Sequence, residues 1–88
     1  MKQLERGMYA RSLAGHDKGR LYIVLKCEDK YVILVDGVNK TLAHPKKKKR
    51  MHVQPVYQLS KIIAEQDSCR QALTDQDIKK ALIEAGGK

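Results

Sequence analysis

Residues 7–25 read GMYARSLAGHDKGRLYIVL, and the reading of this stretch decides the fold. Two apolar runs flank a short polar segment. In GMYARSL, Tyr9, Arg11 and Leu13 share one face and Met8, Ala10 and Ser12 the other, an imperfect strand alternation. In RLYIVLKC, alternation places Leu21, Ile23, Leu25 and Cys27 on one side and Tyr22, Val24 and Lys26 on the other. That second run is apolar on both faces, which predicts a central strand. Between the runs lies AGHDKGR, residues 14–20, with Gly15 and Gly19 bracketing His-Asp-Lys. Paired glycines predict a tight loop where the backbone needs positive φ or close approach.

Working outward, YVILV (31–35) is a third β-branched run, CEDKY (27–31) a polar hairpin connection, and Asp36-Gly37 the next turn. NKTLAH (39–44) and RMHV (50–53) are expected as short fourth and fifth strands flanking a basic loop, residues 44–52. Met51 and Val53 are expected to return that loop to the core. Several short strands at close spacing predict a small, strongly curved sheet or barrel. Beyond Pro55 the period turns helical, with Leu59, Ile62 and Ile63 marking a helix over 57–65. A second helix has Thr74 as N-cap and Asp75 and Asp77 in its first turn. Its apolar stripe is Ile78, Ala81, Leu82 and Ala85, and Gly86-Gly87 stops it. QDSCRQA (66–72) reads equally as a connection or as continued helix. The expected fold class is mainly β with C-terminal helices: a sheet part over 1–56 and a helical segment over 57–88, in one domain.

Composition narrows the function classes. The 88 residues include no Trp and no Phe, so the core must be aliphatic, with four Tyr closing its edges. An apolar content of 42% argues against full disorder. No apolar run is long enough to span a bilayer, and MKQLERGM lacks a secretory apolar stretch, so a cytoplasmic location is expected. Cys27 and Cys69 are expected as buried thiols, Cys27 serving as a small core hydrophobe. With His16, His44 and His52 they match no zinc spacing, so neither metal nor cofactor is expected. No nucleophile–base arrangement has supporting context, and Asp17, Glu28 and Asp29 are accounted for by turns, so no enzymatic activity is expected.

Charge is the strongest functional signal. Residues 1–55 hold thirteen Lys/Arg against five Asp/Glu, whereas residues 56–88 hold five of each, so the whole net charge of +8 lies in the first part. The densest run is Lys46 to Arg50, inside HPKKKKRMHVQP (44–55). A solvated loop, a nuclear localisation signal and a lipid-binding patch are weaker readings, because like charges repel and the helices are net neutral. Phosphate contact is the leading one: five contacts to a single strand would give a slope of log K against log salt near ~−3.5. Arg11, Lys18, Arg20 and Lys40 add cations close to strand ends, where side chains reach outward from a fixed scaffold.

The pattern GMYARSLAGHDKGRLYIVL…YVILVDG…KKKKRMHVQPV resembles the KOW-containing large-subunit ribosomal protein family of archaea and eukaryotes, and its bacterial stand-alone RNA-binding relatives. The resemblance covers roughly residues 7–56 and rests on Gly7, the A-G-x-D-x-G loop with its near-obligatory Gly19, the LVDG strand end and the basic run. It implies a small SH3-like (KOW) β-barrel that binds structured RNA, with His16, Lys18 and Arg20 as contacts on a loop shaped by Gly15 and Gly19. Together with the charge reading, the expected RNA-binding set is Arg11, His16, Lys18, Arg20, Lys40, Lys46, Lys47, Lys48, Lys49, Arg50 and His52. The expected target is large-subunit ribosomal RNA, met by a ribosome-associated or assembly factor that is monomeric when free. Recognition would rest on shape and phosphates, since no aromatic platform is evident. The alternative is a protein-interaction module of the transcription or translation machinery, using the apolar stripe of the last helix.

Overall fold

The computed structural model describes residues 4–69 and 72–85. The apolar runs form β1 (Met8–Ser12), β2 (Leu21–Cys27) and β3 (Tyr31–Val35). They are followed by β4 (Lys46–Lys49), a 3-10 turn (Arg50–His52), β5 (Val53–Leu59), α1 (Lys61–Ser68) and α2 (Asp75–Glu84). The sheet order is β4-β3-β2-β1-β5, with every neighbouring pair antiparallel. The protein is therefore mainly β with C-terminal helices.

Both faces of the sheet are buried, and the central position of β2 requires it. On one face Ala10, Tyr22, Val24, Val32, Leu34 and Val53 pack together with Leu4. On the other, Tyr9, Leu21, Ile23 and Val35 meet Ile63 of α1 and Ile78 and Ala81 of α2. Each large side chain so enclosed contributes about 1.5–3 kcal/mol through apolar burial. The buried Tyr9 hydroxyl donates to the Ala81 carbonyl at 2.9 Å, tying β1 to α2. The α2 stripe is thus core at Ile78 and Ala81, half-buried at Leu82 and exposed at Ala85.

A bulge in β2, between Val24 and Lys26, changes one face assignment. One extra residue reverses the alternation beyond it. Cys27, expected beside Leu21 and Ile23, instead packs at the edge of the Tyr22–Val24 cluster and donates its thiol to the Leu4 carbonyl at 3.0 Å. It is half-buried, and Cys69 is exposed; both thiols are free, so the expectation of two buried thiols fails at Cys69.

The second half of the sheet differs more from expectation. Residues 39–44 form turns rather than a strand, and RMH is the 3-10 turn. The fourth strand is the lysine run itself, so the expected basic loop over 44–52 is largely ordered backbone. Met51 does not return to the core: it is 76% exposed, while Val53 is buried. The helix expected from residue 57 begins at Lys61, because Val53–Leu59 pairs with β1 as an edge strand. Pro55 is tolerated there, since an edge strand needs no donor on its outer side. Ser60 caps α1, its hydroxyl accepting from the Ile63 amide at 3.4 Å. The helix runs through Gln66–Ser68 and is capped at Cys69, which resolves the first part of QDSCRQA as helix. Thr74 caps α2 as expected, in a reciprocal box with Asp77. The Gly86-Gly87 stop lies outside the described residues.

Two features bend the sheet and seat α2. At ~4.8 Å per gap, a flat sheet of this width would hold β4 and β5 roughly 19 Å apart. A three-residue 3-10 turn, rising only about 6 Å, joins these two edge strands, so the sheet curls toward itself. No ladder joins β4 to β5 among the described residues, and the sheet stays open. At the LVDG turn, Asp36 accepts from the Val38 and Lys40 amides at 2.9 and 2.8 Å. Gly37, at φ 79°, lies under the first turn of α2, where an added Cβ would come within 2.6 Å of the Asp75 carbonyl. Only glycine fits both the left-handed backbone and that approach.

Candidate nucleic-acid interface

Strand alternation divides the basic run. In register with β3, Lys46 lies opposite Leu34 and Lys48 opposite Val32, whereas Lys47 and Lys49 lie opposite Ile33 and Tyr31. Lys46 and Lys48 therefore lean one way, and both end on Asp17 of the glycine-bracketed loop. Their ammonium groups sit 3.1 Å from its two carboxylate oxygens. Lys48 also donates to the Ala14 carbonyl at 2.9 Å, and its side chain is only 10% exposed.

Asp17 is the hub of this corner. It accepts from the Tyr22 hydroxyl at 2.7 Å and from the Ser12 hydroxyl at 2.9 Å as well as from both lysines. Partial burial works to raise its pKa, but hydrogen bonds from Tyr22, Lys46, Ser12 and Lys48 overcome that and hold the carboxyl well below the usual range. The same contact pushes Tyr22 the other way: burial and then the adjacent carboxylate raise its pKa. The loop's backbone is closed by Gly19 N–H to the Ser12 carbonyl at 2.8 Å and Arg20 N–H to the Asp17 carbonyl at 2.9 Å. Gly15 and Gly19 both adopt positive φ, at 87° and 89°.

The other cations of the run surround Tyr31 and the β2–β3 hairpin. The Lys47 ammonium stands 4.6 Å from the Tyr31 ring centroid and 3.6 Å from the Glu28 carboxylate. Arg50 donates its Nη1 to the Glu28 carbonyl at 3.2 Å, and its backbone N–H to the Lys30 carbonyl at 2.9 Å. Lys49 and Arg50 are exposed. Lys30, Tyr31, Lys49, Arg50 and Met51 line a concavity of about 470 Å³.

The remaining candidates divide in the same way between internal and outward use. Arg11 donates to the Gly19 carbonyl at 2.7 Å and so braces the loop. Arg20 pairs with Asp36 at 3.4 Å, beside Lys40, whose own amide and carbonyl are bound to the Asp36 turn. His16 and Lys18 are exposed at the loop tip, and His52 is half-buried with its carbonyl accepting from the Leu13 amide. Among the tyrosines, Tyr9 and Tyr22 are core, Tyr31 is half-buried and Tyr57 exposed.

Asp17 is the residue that sequence reasoning passed over. A turn assignment accounted for it locally, and its partners are residues 46 and 48, far along the chain. The available signal was period two within the lysine run, which places Lys46 and Lys48 on one face. No three His, Cys, Asp or Glu among the described residues are grouped as metal ligands would be. No helix among them is long and apolar enough to cross a membrane. No protein-family model matches this chain, and no curated protein matches it either.

Proposed function

We propose that this chain is a non-enzymatic RNA-binding protein, contacting structured large-subunit ribosomal RNA as a ribosome-associated or assembly factor. The observation that carries the reading is the ordering of the lysine run into a paired strand. Lys46 and Lys48 are spent on Asp17, and this anchors Lys47, Lys49 and Arg50 on a fixed backbone facing outward. Cations already held in place lose little conformational freedom on meeting phosphates, which favours binding. His16 and Lys18 at the loop tip extend the cationic surface. The curled sheet, with its edge strands joined by a 3-10 turn, is read as an incompletely closed SH3-like (KOW) barrel, in keeping with the resemblance of residues 7–56.

The test is salt-dependent binding to a structured fragment of large-subunit ribosomal RNA. Replacing Lys47, Lys49 and Arg50 together by Gln is expected to flatten the slope of log K against log salt by up to about 2.7. An unchanged slope in a folded variant would defeat this assignment.

A second reading has its own observation. Val38 and Ile83 are 64% and 74% exposed, and with Leu21 and Leu82 they line an apolar groove of about 380 Å³ between the LVDG turn and α2. This favours a protein partner from the transcription or translation machinery. Ile83→Asp would then abolish partner capture with RNA affinity unchanged.

A further inference from the structure

The concavity beside Tyr31 differs in kind from the rest of the cationic surface. Three of its five lining residues, Lys30, Lys49 and Arg50, are cations, and none is an acid. The other two offer flat or polarizable apolar surface: the half-buried Tyr31 ring and the 76% exposed Met51. Around Asp17, by contrast, the lysines already have a carboxylate between them.

Neither apolar wall belongs to a core cluster. Met51 is the most exposed large hydrophobic residue described and packs into neither core cluster. Tyr31 also lies outside both clusters, with Lys47 over its ring. Arg50, by contrast, is fixed at two points, through its guanidinium on the Glu28 carbonyl and its amide on the Lys30 carbonyl. At about 470 Å³ the space suits one small planar ligand.

Resting on the RNA-binding reading, we infer that this concavity is a nucleotide subsite: one unpaired base of a bound RNA lies between Tyr31 and Met51, with its phosphate on Lys49 and Arg50. Phosphate alone would make no use of either apolar wall, and a base stacked between neighbours inside a helix has no free face to offer. A base in a loop or bulge meets both requirements, since stacking on an aromatic ring tolerates any sequence. The protein would thereby prefer RNA with unpaired positions over an uninterrupted duplex of equal charge.

Fluorescence anisotropy with two labelled RNAs tests this: a hairpin with an unpaired loop, and a blunt duplex with the same number of phosphates. Tyr31→Leu should weaken hairpin binding roughly tenfold and leave duplex binding unchanged, while Tyr31→Phe retains both. Met51→Ser, at an exposed position that the fold does not need, should weaken hairpin binding in the same selective way. If the unsubstituted protein binds both RNAs and neither Tyr31→Leu nor Met51→Ser lowers hairpin affinity, the subsite is wrong and RNA binding stands. If the unsubstituted protein binds neither RNA, the RNA-binding reading falls and the subsite with it.

Discussion

The Asp17 corner and the Tyr31 corner draw on the same five-cation run and use it in opposite ways. At Asp17, two lysines converge on one carboxylate that also holds Ser12 and Tyr22, and little of the charge reaches solvent. At Tyr31, Lys47, Lys49 and Arg50 face outward, with the Glu28 carboxylate 3.6 Å from Lys47. Adjacent residues of one chemical type thus point inward and outward by turns, because side chains of a strand alternate. A basic run is not a uniform electrostatic object once its backbone is paired.

That contrast can be broken by substitution, and the largest effect should come from the hub. Asp17→Ala leaves Lys48 nearly buried without its partner and should cost about 3 kcal/mol in chemical denaturation. A loss within 0.5 kcal/mol would mean that the corner is a surface contact after all. Tyr22→Phe, which removes the 2.7 Å bond to Asp17, should cost about 1.5 kcal/mol, the usual value for a hydrogen bond to a charged group.

Acid should expose the same asymmetry. The unfolded chain protonates Asp17 near pH ~4, whereas the folded carboxyl is held well below that. Below about pH 4 the unfolded state therefore binds the extra proton and stability falls as pH drops. Asp17→Asn should flatten that limb of the stability profile, measured by urea denaturation across acidic pH. The smallest effect belongs to the other corner: Lys47→Met and Lys49→Met should each change stability by less than about 0.5 kcal/mol, as exposed charges do. Lys48→Met should cost clearly more than either. Equal costs at residues 47 and 48 would erase the distinction.

Much of the first half was legible because its residues are patterned for one environment each. Alternation identified β1, β2 and β3, the double apolar face of β2 announced its central place, and Thr74 with Asp77 announced α2. The bulge that turns Cys27 over left no mark in the pattern, since it depends on pairing with Val32 and Ile33. Lysine carries no hydrophobic period, so β4 was hidden within its own charge. Residues 57–59 followed the helical spacing of Ile62 and Ile63 until pairing with β1 claimed them for the sheet. Of the candidate site, the cations themselves were visible; which of them remain available was not.

The sequence by itself determined the mainly β class, the glycine-bracketed loop between the first strands, the C-terminal helix cap and the concentration of charge in residues 1–55. Those features are local, set by periodicity, turn chemistry and composition within a few residues. Tertiary structure alone decided that the lysine run is a strand, that Asp17 takes Lys46 and Lys48, and that Tyr31 and Met51 come to face one space. Each of these depends on groups 12 to 31 residues apart, brought together by strand pairing and the curl of the sheet. Burial and backbone hydrogen bonding drive that pairing, and no local signal encodes which charges it will neutralise.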